Sequence, residues 1–304
     1  MDHDTRFKML IKTPCVLRGF FEVFVPGAYP FVDFEKLEFF DKERVTIDGK
    51  KRTGDLLIKT RFRGEPAGFL IHLEHQAQVD TGLGWRMLEY FLLDRREYKL
   101  PVYPIAVLSH KRPMAGAGEP LTVDFPNMRV LQFRYETIDL ARMDAHRYVR
   151  MTNPAALALA ARMKSKPKEW LGLAREFFTS LAKASLAKEE LNKVVGFFSC
   201  YRPLDARQTL KLRKELGKVK PDAIRRKVMN WTNPFIELGK SQGLQKGLQK
   251  GLQKGLQEGV AKGMQQGEAG LVLRQLARRL GSLSAPKKEP LIPLISKKKS
   301  VESV

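Results

Sequence analysis

Asp55 and Glu74 are the two residues of this 304-residue chain whose type and spacing could do chemistry together. Gly54-Asp55 opens an alternating segment over 55–62, and Glu74-His75-Gln76 closes a second one over 68–76. Arg63-Gly64-Glu65-Pro66 between them suits a tight turn, so the pair reads as a hairpin. Both carboxylates then come to one end of a sheet, where they could share a hard cation. Magnesium takes oxygen ligands, commonly one or two carboxylates beside water and phosphate. Held in that way it would acidify a bound water and polarise a phosphoryl oxygen. Gln76 falls on the Glu74 side of its strand. A carboxylate following the apolar run 70–73 needs a partner, which favours a paired role for Glu74. Asp55 taken alone reads better as a turn residue at a strand start. His72 and His75 point to opposite faces of one strand and cannot share a metal. His72 is a candidate for touching substrate. Arg86, on the helix that follows, is a candidate for binding phosphate or an ordinary surface arginine. Lys59 lies on the Asp55 face but about 13 Å along the strand.

Several elements must hold these residues in place. Residues 4–22 show near-3.6 spacing in Phe7, Leu10, Ile11, Leu17, Phe20 and Phe21, with Asp4 as a cap and Pro14 as a break between two short helices. Residues 37–45, 55–62 and 68–76 are strand candidates. A helix is expected over 81–98, a strand buried on both faces over 102–109, and a further strand over 128–135. Three consecutive strands followed by a helical crossover argue for an α/β fold with a mixed central sheet. From 138 to 231 the pattern is helical, with Asn153 as a cap and Pro154 at the first helical position.

The charge and composition bound the function. The chain carries 55 Lys+Arg against 33 Asp+Glu, a net charge of +22, with 43% apolar residues. The length suggests roughly two domains of about 150 residues each, and the apolar share suffices for a core. Residues 1–137 carry a net +2 and residues 138–235 a net +12. A basic block beside a neutral one suits a polyanion such as DNA, because each neutralised phosphate releases a counterion; it also suits a solvated helical surface. Cys15 and Cys200 are too few for a disulfide scaffold or a four-ligand zinc site. No apolar run approaches a bilayer span. Met1-Asp2-His3-Asp4 lacks the apolar core of a leader, so a cytoplasmic protein is the expectation.

Glycine recurs every fourth residue from Gly239 to Gly267. In a helix such a stripe drifts by about 40° per repeat, and only a right-handed supercoil would keep it against a partner. Eight glycines would cost a lone helix on the order of 8 kcal/mol. Helical self-association into a homo-oligomer and a linker both remain open. Gln and Lys in the gaps exclude a membrane GxxxG helix.

The ordered set of elements and acids resembles the PD-(D/E)XK nuclease superfamily, with an acid on one strand and acid-x-Lys on the next. A closer resemblance is to the Rpn family of recombination-promoting nucleases, also described as transposases with a YhgA-like domain. His3-Asp4-Thr5-Arg6-Phe7-Lys8, Gly54-Asp55-Leu56-Leu57, Leu73-Glu74-His75-Gln76, Trp85-Arg86-Met87-Leu88-Glu89-Tyr90 and Pro101-Val102-Tyr103-Pro104-Ile105 are similar to the family's successive motifs. Asn153-Pro154-Ala155-Ala156 and the glycine repeat are similar to its later region. The resemblance covers about residues 1–280. It implies a restriction-endonuclease-like αβββαβ core over 1–137, a basic helical domain over 138–235, a Gly-x-x-x segment over 236–270, and a truncated DUF4351-like module over 271–304. It further implies a Mg2+-dependent endonuclease acting on DNA in recombination or mobile elements, with Mn2+ or Ca2+ as alternative ions. Asp55 and Glu74 would hold the ion, the His75 carbonyl would add a third oxygen and Glu22 a fourth. Gln76 stands where the superfamily has Lys, as in the Rpn family's own variant; an amide donates a hydrogen bond but brings no charge. The alternative is a chain of the same fold that binds nucleic acid or assembles without cutting.

Overall fold

The computed structural model describes residues 3–40, 44–45, 51–52, 55–110, 116, 118–220 and 222–280. The chain forms two compact units, Met1–Ile236 and Glu237–Val304. In order, the first unit holds α1 (His3–Ile11), α2 (Pro14–Phe24), β1 (Glu38–Phe40), β2 (Arg44–Val45), β3 (Lys51–Arg52), β4 (Asp55–Arg61), β5 (Gly68–Gln76), α3 (Leu83–Tyr98), β6 (Val102–Leu108), β7 (Leu121–Phe125), β8 (Met128–Phe133) and β9 (Glu136–Asp139). Helices α4 (Ala145–Tyr148), α5 (Pro154–Leu159), α6 (Trp170–Leu181), α7 (Lys188–Tyr201) and α8 (Ala206–Leu216) follow. A long helix, α9 (Asp222–Leu280), begins in this unit and supplies the described residues of the second.

The central sheet has five strands in the order β1-β4-β5-β6-β9. The β1-β4 and β4-β5 pairs are antiparallel, whereas β5-β6 and β6-β9 are parallel. The mixed α/β expectation therefore holds. The β4–β5 turn uses Gly64 at φ 82°, a left-handed conformation that glycine adopts without a Cβ clash. The helix break also falls where expected: α1 ends at Ile11 and Pro14 starts α2 at a position that needs no N–H.

One expected strand is in the wrong sheet. Residues 128–133 pair only with β7, in a separate two-stranded ribbon whose Met128 and Val130 are exposed. The fifth strand of the main sheet is β9, four residues that straddle the gap between the strand expected to end at 135 and the helical pattern expected from 138. A strand this short carries no periodicity of its own; β6 determines it through pairing from Ile105↔Glu136 to Leu108↔Asp139.

Strand alternation divides the core. Ile71 and Leu73 join Phe7, Leu17, Phe20 and Phe21 of α1 and α2, and the same core continues into α5, α6 and α7. A smaller core of Leu83, Met87, Ala106, Leu108 and Phe133 lies under α3. Asn153 caps α5 by accepting from the amides of Ala155 and Ala156 at 3.0 and 3.1 Å. Its amide nitrogen donates to the Gly19 carbonyl at 3.1 Å, and a Cβ at Gly19 would stand 2.7 Å from Asn153 Oδ1, so glycine is what lets α2 approach this cap. Among the described residues no helix is long and apolar enough to cross a membrane.

Candidate functional site

β4 and β5 pair with Asp55 directly opposite Glu74. Directly opposed residues of an antiparallel pair project to the same face, with Cβ atoms about 4.5–5.5 Å apart. The hairpin thus brings the two acidic positions together across the chain. The Asp55 side chain and Gly54 lie outside the described residues. Glu74 is only 5% exposed, at the end of a strand flanked by β4 and β6.

Arg86, one turn into α3, reaches down onto this end of β5 and is itself buried. Its Nη2 donates to Glu74 Oε1 at 3.1 Å and to Gln76 Oε1 at 2.9 Å. Its Nη1 donates to Asp80 Oδ2 in the loop before the helix. One guanidinium therefore ties together three acceptors from the strand end and the loop. Burial alone would lower the Arg86 pKa; the charges of Glu74 and Asp80 more than offset this and hold it above its ordinary value.

Two acids at opposed positions match magnesium in number, since the ion usually takes one or two carboxylates and fills its shell with water. Among the described residues no three His, Cys, Asp or Glu side chains gather as a metal site. Glu74 offers its Oε1 to a guanidinium, which competes directly with a cation for that oxygen.

The remaining candidates are placed as follows. His72 lies on the Glu74 face but beneath α3, fully buried, with Nδ1 2.9 Å from Asp94 Oδ2 and its ring stacked on Tyr90. It joins α3 to the sheet, and burial keeps it from substrate. The His75 ring points the other way, stacked on Phe7 at 4.3 Å between ring centroids. His75 Nδ1 is 2.7 Å from Asp4 Oδ1 and Nε2 is 2.8 Å from Ser109 Oγ. Asp4 thus serves β5 rather than acting as the helix cap that its position suggests. Burial pushes the His75 pKa down, with Asp4 opposing that shift. Glu22 is not brought to the cluster: it lies on α2, over the opposite face of the sheet, and accepts from Asn153 Nδ2 at 3.0 Å. Lys59 is exposed and pairs with Glu38 at 3.8 Å.

A family model described as "Putative transposase, YhgA-like" matches residues 1–192. The chain belongs to that family. The YhgA-like match takes in the whole central sheet, α3, and Asp55, Glu74, Gln76 and Arg86. α8 and α9 fall outside it. Searches of the curated proteins and of the solved structures return no match.

Three acids and hydroxyls that hold the end of β5 and α3 are not legible in sequence. Asp80 and Asp94 are ordinary acids at a loop and a helix end until Arg86 and His72 meet them. Ser109 shows only as the residue closing an apolar strand. The one available signal is Arg86 itself, a cation whose position in α3 faces the strand that carries Glu74.

Proposed function

We propose that the chain is a magnesium-dependent endonuclease acting on DNA, of PD-(D/E)XK type, centred on Asp55, Glu74 and Gln76. The observation that carries this reading is the register that sets Asp55 opposite Glu74, with Arg86 joined to both Glu74 and Gln76. Asp55, Glu74 and the His75 carbonyl would hold the ion. Magnesium, when bound, would supply charge that polarises a phosphoryl oxygen and makes a water more acidic. Gln76 turns its carbonyl oxygen to Arg86, which leaves its amide hydrogens to donate to a phosphate oxygen or a water. Arg86 brings to the Gln76 side chain the positive charge that the superfamily carries on a lysine there, and it fixes Glu74 against rotation. The basic helices after the sheet give contacts to the DNA backbone, which bind without reading sequence. The family's transposase description fits a role in mobile elements or recombination.

Nicking of supercoiled plasmid by the purified chain tests the proposal. Cleavage is expected with magnesium, with manganese as a substitute, and is expected to stop with EDTA and in Glu74→Gln. Metal-independent cutting, or equal cutting by that variant, would overturn it. The Arg86–Glu74 ion pair favours a second reading, a chain of this fold that binds nucleic acid without cutting. DNA binding at wild-type strength by Glu74→Gln, with no cleavage by either protein, would establish that reading instead.

We further infer a homo-oligomer through α9. Leu248, Leu252, Leu256, Val260 and Met264 are each more than half exposed at a spacing of four, and space stands open above Gly251, Gly255, Gly259 and Gly263. Glycine at those positions lets a second backbone approach closely, and the apolar row would then be covered. Deletion of residues 239–268 is expected to lower the mass measured by light scattering to that of one chain; an unchanged mass would refute the assignment.

A further inference from the structure

The 3-10 turn Ala160–Arg162 meets the end of α7, and the two segments exchange contacts. Arg162 lays its guanidinium over the Tyr201 ring, with Cζ 4.7 Å from the centroid. Arg202, the next residue along from Tyr201, donates from Nη2 to the carbonyl of Met163, the next residue along from Arg162, at 2.8 Å. Arg202 also stacks on Trp170, with Cζ 4.8 Å from the ring centroid. Two half-buried arginines are therefore held side by side, each by one carbonyl and one aromatic face.

No carboxylate neutralises either of them among the described residues. Arg86, Arg129 and Arg150 by contrast each hold an acid. Arg162 donates to the Ser109 carbonyl, yet its Nε is buried with no acceptor, and so is the Nε of Arg202. Nε1 of Trp170, the ring on which Arg202 stacks, is also buried without a partner. A guanidinium has five N–H donors, and a buried donor left unmade costs the full desolvation of that group. Burial lowers the pKa of both arginines, and the charge of Arg162 adds to that effect on Arg202, which is held down to about 10. Stacking on aromatic rings and single carbonyl bonds would account for holding one such arginine. They do not account for two like charges whose own Nε atoms, together with the indole N–H of the Trp170 that Arg202 stacks on, are left without acceptors. An anion with several acceptor oxygens would supply the charge and the acceptors that the two guanidinium groups lack, and paired arginines suit phosphate in particular.

We propose that Arg162 and Arg202, with Trp170 beside them, form a binding site for a phosphate group, carried by a nucleic-acid backbone or present as free phosphate. Ser109 connects the site to β5: its amide donates to the Gln76 carbonyl at 2.9 Å and its hydroxyl contacts His75 at 2.8 Å. A strand phosphate held by Arg162 would thus lie by the same end of the sheet as the proposed catalytic residues. Assigning the occupant to DNA rests on the nuclease reading; the anion site itself does not.

Titration of the full chain with sodium phosphate against sodium chloride at equal ionic strength, and with a short single-stranded oligonucleotide lacking terminal phosphates, tests the site. In the intact protein the Nε–H resonances of two arginines are expected to shift, and Arg162→Met and Arg202→Met are expected each to weaken binding about tenfold or more. For the oligonucleotide each loss lowers the slope of log K against log salt by about one. Arg63→Met, at an exposed arginine elsewhere, leaves both probes unchanged. Glu74→Gln also keeps phosphate binding, so a failed nuclease reading and a failed anion site give different results. Response to the oligonucleotide assigns a backbone phosphate, and response to inorganic phosphate alone assigns a free one. Absence of any arginine shift in the wild-type chain, or wild-type affinity in both variants, would overturn the proposal; the resonance test stands even where a variant fails to fold.

Discussion

Arg86→Met is expected to lower the stability of the chain by about 3–5 kcal/mol, the cost of removing one partner from a buried ion pair. The side chains of Arg86 and Glu74 are only 9% and 6% exposed, so water cannot take the place of the lost guanidinium. Glu74→Gln introduced in the same chain is expected to restore most of that loss, because the stranded charge goes with it. The ratio of these two effects, from urea midpoints at constant m, measures how much of the penalty is the bare carboxylate. Magnesium adds a sharper test. If Asp55 and Glu74 can hold the ion, it replaces the missing cation in Arg86→Met, and its binding to the folded state alone raises the melting temperature with concentration. Asp55→Asn in that background would abolish the response. A variant that is destabilised but indifferent to magnesium would make Arg86–Glu74 a structural pair and nothing more.

The division between what the sequence reveals and what it conceals follows the range of the interactions involved. The β4–β5 hairpin is legible because its alternation, turn residues and Gly64 all act within a few residues. Pro14 and Asn153 are legible for the same reason, as each changes backbone hydrogen bonding at its own position. Asp55 opposite Glu74 follows from that hairpin once the register is known, so the two acids emerge from local signals alone. β9 does not, because four residues have no period and are held only by a parallel neighbour. Arg86 is legible as a cation near the site but not as the group that joins three acceptors, since Asp80 lies in an irregular loop. Asp4 shows the same limit. Its type suggests a cap, yet His75, 71 residues away, offers a closer partner. The Arg162 and Arg202 pair is the extreme case: contacts between residues 39 apart create a local excess of charge that no spacing rule would find.

Asp55→Asn is expected to lower the metal-dependent cleavage rate at least about a thousandfold while leaving DNA binding near its wild-type strength. The substitution keeps the size of the side chain, removes its charge and exchanges one acceptor oxygen for a donating NH2. An ion that stabilises transition-state charge by several kcal/mol is then held by one carboxylate, and that carboxylate is shared with Arg86. At about 1.4 kcal/mol for each tenfold in rate, the loss reaches three orders of magnitude. The backbone contacts proposed for the basic helices would be untouched, so binding and its salt dependence should persist. The contrast between the two readouts matters more than either alone. Loss of both would point to a damaged fold, and loss of neither would show that the reacting phosphate lies elsewhere. Loss of cleavage alone requires that the charge at the head of β4 acts on the chemical step, which the register with Glu74 anticipates.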